Sequence, residues 1–387
     1  MRIVFFLVVS AAVHLFAARW LLAVSPWARK REKRVRLVAI VLSTLAALLR
    51  VISYAVESYV LRLLMAFALV ELAVVLFGLV FAGILLGVSR LAARIRARVS
   101  PPKDDEEKEA RVTRREAIER VSGAVAFGGT GLALGWGIVR GRHAFGIEEV
   151  VVKIPNLPKA LEGYTIAQVS DVHVGAFVGD RELDEGFELV RRVKPDLVVA
   201  TGDLVDSDAP YILELAKRML AVNARDGAFG ILGNHDHYAG PGDVVAIAKR
   251  AGLRILNNEA VVIRDGFALV GLDDLAGRSR SYDGFVGPDL ERALAGIDHE
   301  LPRILLAHQP SYFVEAAGQV ALQLSGHTHG GQINPGFRPA DLVMRYVAGR
   351  YVANGTTLWV NRGFGTAGPP TRVGAPPEVT KIVLIGA

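Results

Sequence analysis

The chain has 387 residues, no cysteine and a formal net charge of +6, and 51% of its residues are hydrophobic. The absence of cysteine excludes a disulfide scaffold, thiolate metal sites and a cysteine nucleophile, and the supply of core-forming residues excludes disordered and collagen-like classes. A mean hydropathy of +0.34 exceeds that of an ordinary soluble domain. The excess lies in roughly the first 140 residues, so the chain reads as two parts.

Crossing a hydrocarbon core takes about 20 mostly apolar residues, and residues 3–24, 37–56, 59–88 and 121–139 qualify. The first stretch is too long for a signal-peptide core and no small-residue cleavage site follows it, so it reads as a retained anchor. The loop SPWARKREKRVR after the first span and the run RLAARIRARV after the third are strongly basic. Both loops are therefore expected in the cytoplasm. This gives a multi-pass protein of the cell membrane whose C-terminal part is extracytoplasmic. The fourth stretch, VSGAVAFGGTGLALGWGIV, is glycine-rich and only just long enough, which leaves a buried or interfacial segment as the alternative. Its Gly131 and Gly135 have the spacing that lets helices approach closely. Arg50 and Glu71 lie inside spans, where lone charges are costly, and are expected to pair, either as a structural ion pair or as a proton or substrate path.

The domain reading is a membrane region with three transmembrane helices at 1–100, a charged linker at 101–120, a fourth transmembrane helix at 121–140 and a soluble domain at 145–387. The linker PPKDDEEKEARVTRREAIER is a solvated linker or exposed helix, with Arg114 and Arg115 anchoring the fourth span. Beyond it, strand-like runs such as YTIAQVSD, DLVVATGD and GAFGILGNHD alternate with helical patterns such as RELDEGFELVRRV. This is βαβ organisation, an α/β domain.

The predicted strands end in metal-ligand residues: Asp171 and His173 in SDVHVG, Asp203 in TGDLVD, Asn234 and His235 in LGNHDH, His308 in LAHQP, and His327 and His329 in SGHTHGGQ. All donors are oxygen or imidazole nitrogen, as two divalent cations held close together require, one carboxylate bridging both. Gly202, Gly233 and Gly326 precede ligands where the chain must turn sharply. A lone His308 would more often be a core histidine; only the full set makes it a ligand. His14, His143, His237 and His299 lack such company. Asp206 and Asp208 read as loop or helix-cap residues and Asp273 and Asp274 as structural. Asp236, next to His235, is expected to orient its imidazole.

The order D-x-H, G-D, G-N-H-[DE], H and G-H-x-H resembles the calcineurin-like metallophosphoesterases, and every position of that pattern is present. The resemblance implies a four-layer α-β-β-α sandwich preceded by an all-α transmembrane region. It implies one metal held by Asp171, His173 and His329, a second by Asn234, His308 and His327, and Asp203 bridging them. His235 then resembles the acid that protonates the leaving oxygen after metal-activated water attacks phosphorus. The ligands admit manganese, iron, zinc or nickel, with manganese favoured.

Arg362 and Arg372, in a Gly/Pro-rich segment after the last histidine motif, are candidate substrate contacts, since guanidinium forks suit phosphate oxygens; loop-fixing salt bridges are the alternative. Similar segments occur in the membrane-anchored branch that includes enzymes similar to UDP-2,3-diacylglucosamine pyrophosphatases. Arg338, Arg345 and Arg350 interleave with Phe337, Met344, Tyr346 and Tyr351. That composition suits a phospholipid surface or an insertion packed on its own domain. The expected substrate is a phosphorylated small molecule or lipid, hydrolysed at a phosphodiester or pyrophosphate bond, with the membrane as partner and no nucleic acid. A phosphomonoesterase or protein phosphatase, and a receptor that binds without turnover, are the rivals. The oligomeric state is left open.

Overall fold

Long runs of Leu, Val, Ala and Phe leave the backbone only its own carbonyls as partners, and the described residues of the N-terminal part are mainly helical. The computed structural model describes residues 2–55, 59–99, 105–175, 177–279 and 284–387. These divide into two units, Met1–Trp136 and Gly137–Ala387. The first holds α1 (Arg2–Val24), α2 (Pro26–Arg29), α3 (Glu32–Ala55), α4 (Tyr59–Val99) and most of α5 (Asp105–Val139). Pro26 sits in the first turn of α2, where its missing N–H costs nothing, and the Ser25 hydroxyl accepts from Ala28 N.

Among the described residues, three segments are long and apolar enough to cross a membrane: Leu7–Val24, Leu63–Val99 and Ala117–His143. The second predicted stretch, 37–56, runs into residues outside the described ones. Phe67 and Leu132 are 75% and 78% exposed, the outward-facing apolar surface that lipid would cover. The charged run from Asp105 is helical and continuous with the predicted fourth span in α5, because it is rich in Glu, Ala and Arg and has no proline past residue 102. Gly131 and Gly135 have open space beside them. Close approach occurs instead at Gly78, beneath the Phe127 ring, and at Gly123, beneath Trp20. Glu71 meets His14, whose Nδ1–H donates to Ser10 O at 2.7 Å while Nε2 lies 3.1 Å from the carboxylate. The side chain of Arg50, its expected partner, lies outside the described residues.

The second unit opens with β1 (Gly146–Ile154), β2 (Thr165–Val169), α6 (Asp180–Val193), β3 (Leu197–Thr201), α7 (Ile212–Ala221), β4 (Ala228–Ile231), α8 (Asn234–Ala239), α9 (Pro241–Ala251) and β5 (Arg254–Ile255). It continues through β6 (Glu259–Ile263), β7 (Phe267–Gly271), α10 (Leu290–Leu294), β8 (Arg303–Leu306), α11 (Phe313–Ala316), β9 (Leu322–Ser325), β10 (Gly349–Ala353), β11 (Thr356–Val360) and β12 (Glu378–Gly386). Two six-stranded sheets result, ordered β1-β12-β2-β3-β4-β5 and β10-β11-β9-β8-β7-β6. Strands β2 to β5 are mutually parallel, as are β7, β8, β9 and β11.

The period-two alternation of a strand sorts its apolar residues to two faces. Leu197 and Val199 of β3 meet Leu269, Ile304, Leu306 and Leu324 between the sheets. Val198 and Ala200 face Leu183, Phe187 and Leu215 of the helices. On the other side Val270 and Leu305 pack on Leu290 and Ala316. The architecture is therefore a four-layer α-β-β-α sandwich, each fully buried aliphatic side chain contributing about 1.5–3 kcal/mol. Near the strand ends the inter-sheet core turns polar: Gln168 Nε2 donates to Thr201 Oγ1 at 2.9 Å and to Ser325 O at 3.1 Å. That link ties both sheets together just below the residues that follow their C-terminal edges.

Candidate metal centre

Each predicted ligand sits just beyond a strand: Asp171 and His173 after β2, Asp203 after β3, Asn234 after β4, His308 after β8, and His327 and His329 after β9. C-terminal strand edges leave space and free backbone groups for a ligand. Asp171, His173, Asp203, His308 and His329 are all at most 5% exposed. Asp171, His173, Asp203 and His329 have φ of 51° and His327 of 73°. Left-handed backbone costs a non-glycine residue of order 1–3 kcal/mol. Five such residues in one site show the surrounding fold forcing the donors inward. The packing leaves no slack: at Gly202, with φ of 88°, a Cβ would stand 2.6 Å from His308 Nδ1, and at Gly326 it would strike Ser170 and Asp171.

Among the described residues, three groups of donors have ligand atoms within 4.8 Å of one another: Asp171, His173 and His329; His173, Asp203 and His235; and Asp203, His308 and His327. The first and third share their members with the two expected metal sites, and Asp203 lies between them. Its Oδ2 is 3.3 Å from His308 Nε2 and 3.6 Å from His173 Nε2. His173 and His329 bring Nε2 atoms to 3.1 Å, and His327 Nδ1 is 3.2 Å from His308 Nε2. The His308 Nδ1–H donates to Thr201 O at 2.8 Å, which fixes its tautomer and turns the Nε2 lone pair inward. Asn234 Oδ1 is buried without a hydrogen-bond partner. Converging imidazoles and two carboxylates, with an unpartnered buried carbonyl oxygen just after the neighbouring β4, are what divalent cations would satisfy, so the residues fit the group.

The electrostatics divide the donors: His327 and His329 favour the neutral form that a metal takes, while His308 would give up, on binding a metal, the proton that Asp203 favours. Burial pushes the Asp203 carboxyl up, but the imidazoles of His308 and His235 outweigh it and hold the group well below the usual range. Burial pulls His308 down while Asp203 more than compensates, leaving it raised. His327 is lowered by burial and by His308, and His329 by burial, His173 and Arg372. Imidazoles held neutral keep their lone pairs available for a metal.

Asp236 does not orient His235. Both its oxygens accept from backbone amides, Gly233 N at 2.8 Å, Leu204 N at 3.0 Å and Val205 N at 3.0 Å. It caps α8 and ties that helix to the turn after β3; burial and the nearby Asp203 charge push it up to about 6. His235 is held instead by Asp206, whose carbonyl accepts from Nδ1–H at 2.8 Å and whose carboxylate lies 3.5 Å away. Burial pulls the His235 imidazole down, yet Asp203 and Asp206 raise it to about 9. Asp206 itself is lowered: burial opposes, and the imidazoles of His173 and His235 prevail. Sequence reasoning missed Asp206; the only signal was its spacing, three residues after Asp203.

Arg372, expected to contact substrate, is 1% exposed. Its guanidinium donates to the carbonyls of Gly365, Arg362 and Ala375, and Nη2 lies 3.2 Å from His329 Nδ1. Burial pulls it down to about 10. It braces the loop behind His329 and presents no face to a substrate. Arg362 pairs with Glu148 at 3.1 Å and Glu378 at 2.8 Å, so the loop-fixing alternative describes both arginines. Arg372→Ala would leave several buried carbonyls unsatisfied and should cost about 3 kcal/mol or more, whereas Arg362→Ala strips one partner from the buried Glu378, which keeps Trp359 and Asn361 as donors, and should cost less, about 1–2 kcal/mol. Urea denaturation of the detergent-solubilised chain would compare them; equal losses would contradict the assignment.

Residues 164–331 match the calcineurin-like phosphoesterase family. An uncharacterized metallophosphoesterase of Aquifex aeolicus is 34% identical over 242 residues, covering 62% of this chain and 92% of that protein. The chain belongs to the metallophosphoesterase family. Among other metallophosphoesterases it is similar to YkuE of Bacillus subtilis, 32% identical over 292 residues, 71% of this chain and 98% of that one. It is also similar to a transmembrane protein with metallophosphoesterase domain of Danio rerio, 36% identical over 262 residues, 64% of this chain and 59% of that one. The chain thus spans less than two thirds of that last relative. Members of the family are metal-dependent phosphoester hydrolases, and the donor clusters of this metallophosphoesterase could hold two divalent cations.

Proposed function

We propose that the chain is a membrane-anchored, dinuclear metal-dependent phosphoesterase that hydrolyses a phosphodiester or pyrophosphate bond of a lipid or cell-envelope intermediate. The observation that carries this reading is the convergence of Asp171, His173, Asp203, His308, His327 and His329 at the strand ends. Asp171, His173 and His329 would hold one cation, Asn234, His308 and His327 the other, and Asp203 both. When bound, such cations neutralise charge on phosphoryl oxygens and lower the pKa of water in the site toward neutrality.

The remaining work falls to the chain's own groups. Asp206 O fixes the Nδ1–H tautomer of His235, which leaves Nε2 to carry the transferable proton. The neighbouring carboxylates keep that proton in place, so His235 can deliver it to the departing oxygen. Asp236 acts at one remove, by holding α8 against the β3 turn. In the same reading residues 1–140 anchor the protein as a multi-pass region, residues 145–387 form the catalytic domain on the extracytoplasmic side, and manganese is the favoured ion.

The test uses the full chain in detergent, stripped with chelator and assayed with manganese, iron, zinc or nickel restored. Hydrolysis of bis-(p-nitrophenyl) phosphate should vanish on stripping, return with metal and exceed that of p-nitrophenyl phosphate. Faster monoester cleavage would favour a phosphomonoesterase. Absence of turnover in a folded chain that still binds two ions would leave a ligand-binding role.

A further inference from the structure

The long segment between His329 and β10 carries the two most exposed large apolar side chains described in the second unit, Leu342 at 81% and Val343 at 84%. They form the tip of a tight turn. Asp341 N donates to Arg338 O, and Val343 N and Met344 N both donate to Ala340 O. The Arg338 guanidinium closes the turn on Asp341 Oδ1 at 2.8 Å. The base is equally fixed, since Tyr346 packs on Phe313 at 5.5 Å and on Tyr351 at 5.0 Å between ring centroids. Tyr346 and Tyr351 therefore point into the domain, while Phe337, 46% exposed, faces out with the aliphatic pair held on this stiff support. A soluble domain gains nothing by ordering two adjacent aliphatic side chains in water.

Charge decides what covers them. Residues 331–352 hold Arg338, Arg345 and Arg350 against the single acid Asp341, and Arg338 already neutralises that acid. Arg345 lies over the Tyr346 ring, 5.3 Å from its centroid. A short aliphatic tip with flanking arginines matches a bilayer surface, where apolar groups enter the acyl boundary and guanidinium groups meet anionic headgroups. The same chain carries helices long and apolar enough to span a membrane. We propose that the Leu342–Val343 turn is a membrane wedge that inserts into an anionic lipid surface and sets the metal centre beside it. The geometry alone carries the insertion; only its kinetic consequence rests on the proposed lipid-borne substrate.

Because the chain has no cysteine, Leu342→Cys and Val343→Cys in the full protein each offer one site for an environment-sensitive fluorophore, with Leu213→Cys on α7 as control. In nanodiscs containing phosphatidylglycerol, labels at 342 and 343 should emit blue-shifted light that spin-labelled acyl chains quench, while the label at 213 should behave as in water. Water-like emission at both tip positions would overturn the wedge, as would a blue shift that lipid spin labels leave unquenched, the mark of a protein partner or second copy. A Leu342→Ser/Val343→Ser variant should raise KM several-fold for a phosphodiester lipid in vesicles and leave soluble bis-(p-nitrophenyl) phosphate unchanged. Inserted tip labels in a protein that cleaves no phosphoester would uphold the wedge and refute the hydrolase reading.

Discussion

Asp203→Asn should abolish metal-dependent hydrolysis while leaving the sandwich folded. Among the described residues, Asp203 is the carboxylate that lies near imidazoles of both donor clusters, and an amide of the same shape removes its charge without opening a cavity. Its Oδ1 also accepts from His235 N at 2.7 Å, a bond the asparagine oxygen can keep, so the strained turn after β3 should persist. Removing a hydrogen-bond partner from the ligand shell typically costs 10- to 100-fold in affinity or activity; losing the shared ligand should exceed about 100-fold. Calorimetric titration with manganese on the stripped chain should show one weakened or missing ion, alongside an unchanged unfolding profile. A variant that retains two ions and more than a tenth of the activity would remove Asp203 from the bridging role.

The second large effect concerns protonation. Asp206→Asn should move the alkaline limb of the pH–rate profile to lower pH. The sign follows from the acid role: His235 must be protonated to act, and Asp203 and Asp206 raise its pKa to about 9. Deleting one nearby carboxylate charge lowers that value, so the proton is lost earlier as pH rises, with a displacement of about one unit or more. The main-chain bond from Nδ1 to residue 206 survives the substitution, which confines the change to charge. Asp236→Asn, which touches backbone amides and not the imidazole, should leave the limb where it is. His235→Gln should cost on the order of 10²- to 10⁴-fold with an alkoxide leaving group, and much less with p-nitrophenolate, which departs without a proton. A limb shifted by Asp236→Asn but not by Asp206→Asn would reverse the two assignments.

These expectations also show how far the sequence could be read. The ligands were legible because each is a local event: an apolar strand-like run, then a donor at the strand end, in three of the five units after a glycine that permits the turn. Five such units in order specify the site before any contact is known. Asp236 and Asp206 were not legible in the same way. Successive helical residues project about 100° apart, so Asp236 at the start of α8 faces away from its neighbour His235 and toward the amides of residues 204 and 205. Asp206 reaches His235 only because the loop after β3 folds beside α8.

Arg372 follows the same logic, since a guanidinium in a Gly/Pro-rich loop can face a ligand or its own backbone, and only the path of that loop selects the carbonyls of residues 362, 365 and 375. Glu71 meets His14 because α1 packs against α4. In the segment after His329 the composition announced arginines and aromatics, while packing on Phe313 turned Tyr346 and Tyr351 inward and left Leu342 and Val343 in the open. The sequence by itself determined the apolar helices, the alternation that sorts β3 between two cores, and the identity and order of the donors, because each is written in the chemistry of a few consecutive residues. The tertiary structure alone decided which side chains orient, brace or protrude, because those roles depend on which surface a side chain meets across the fold.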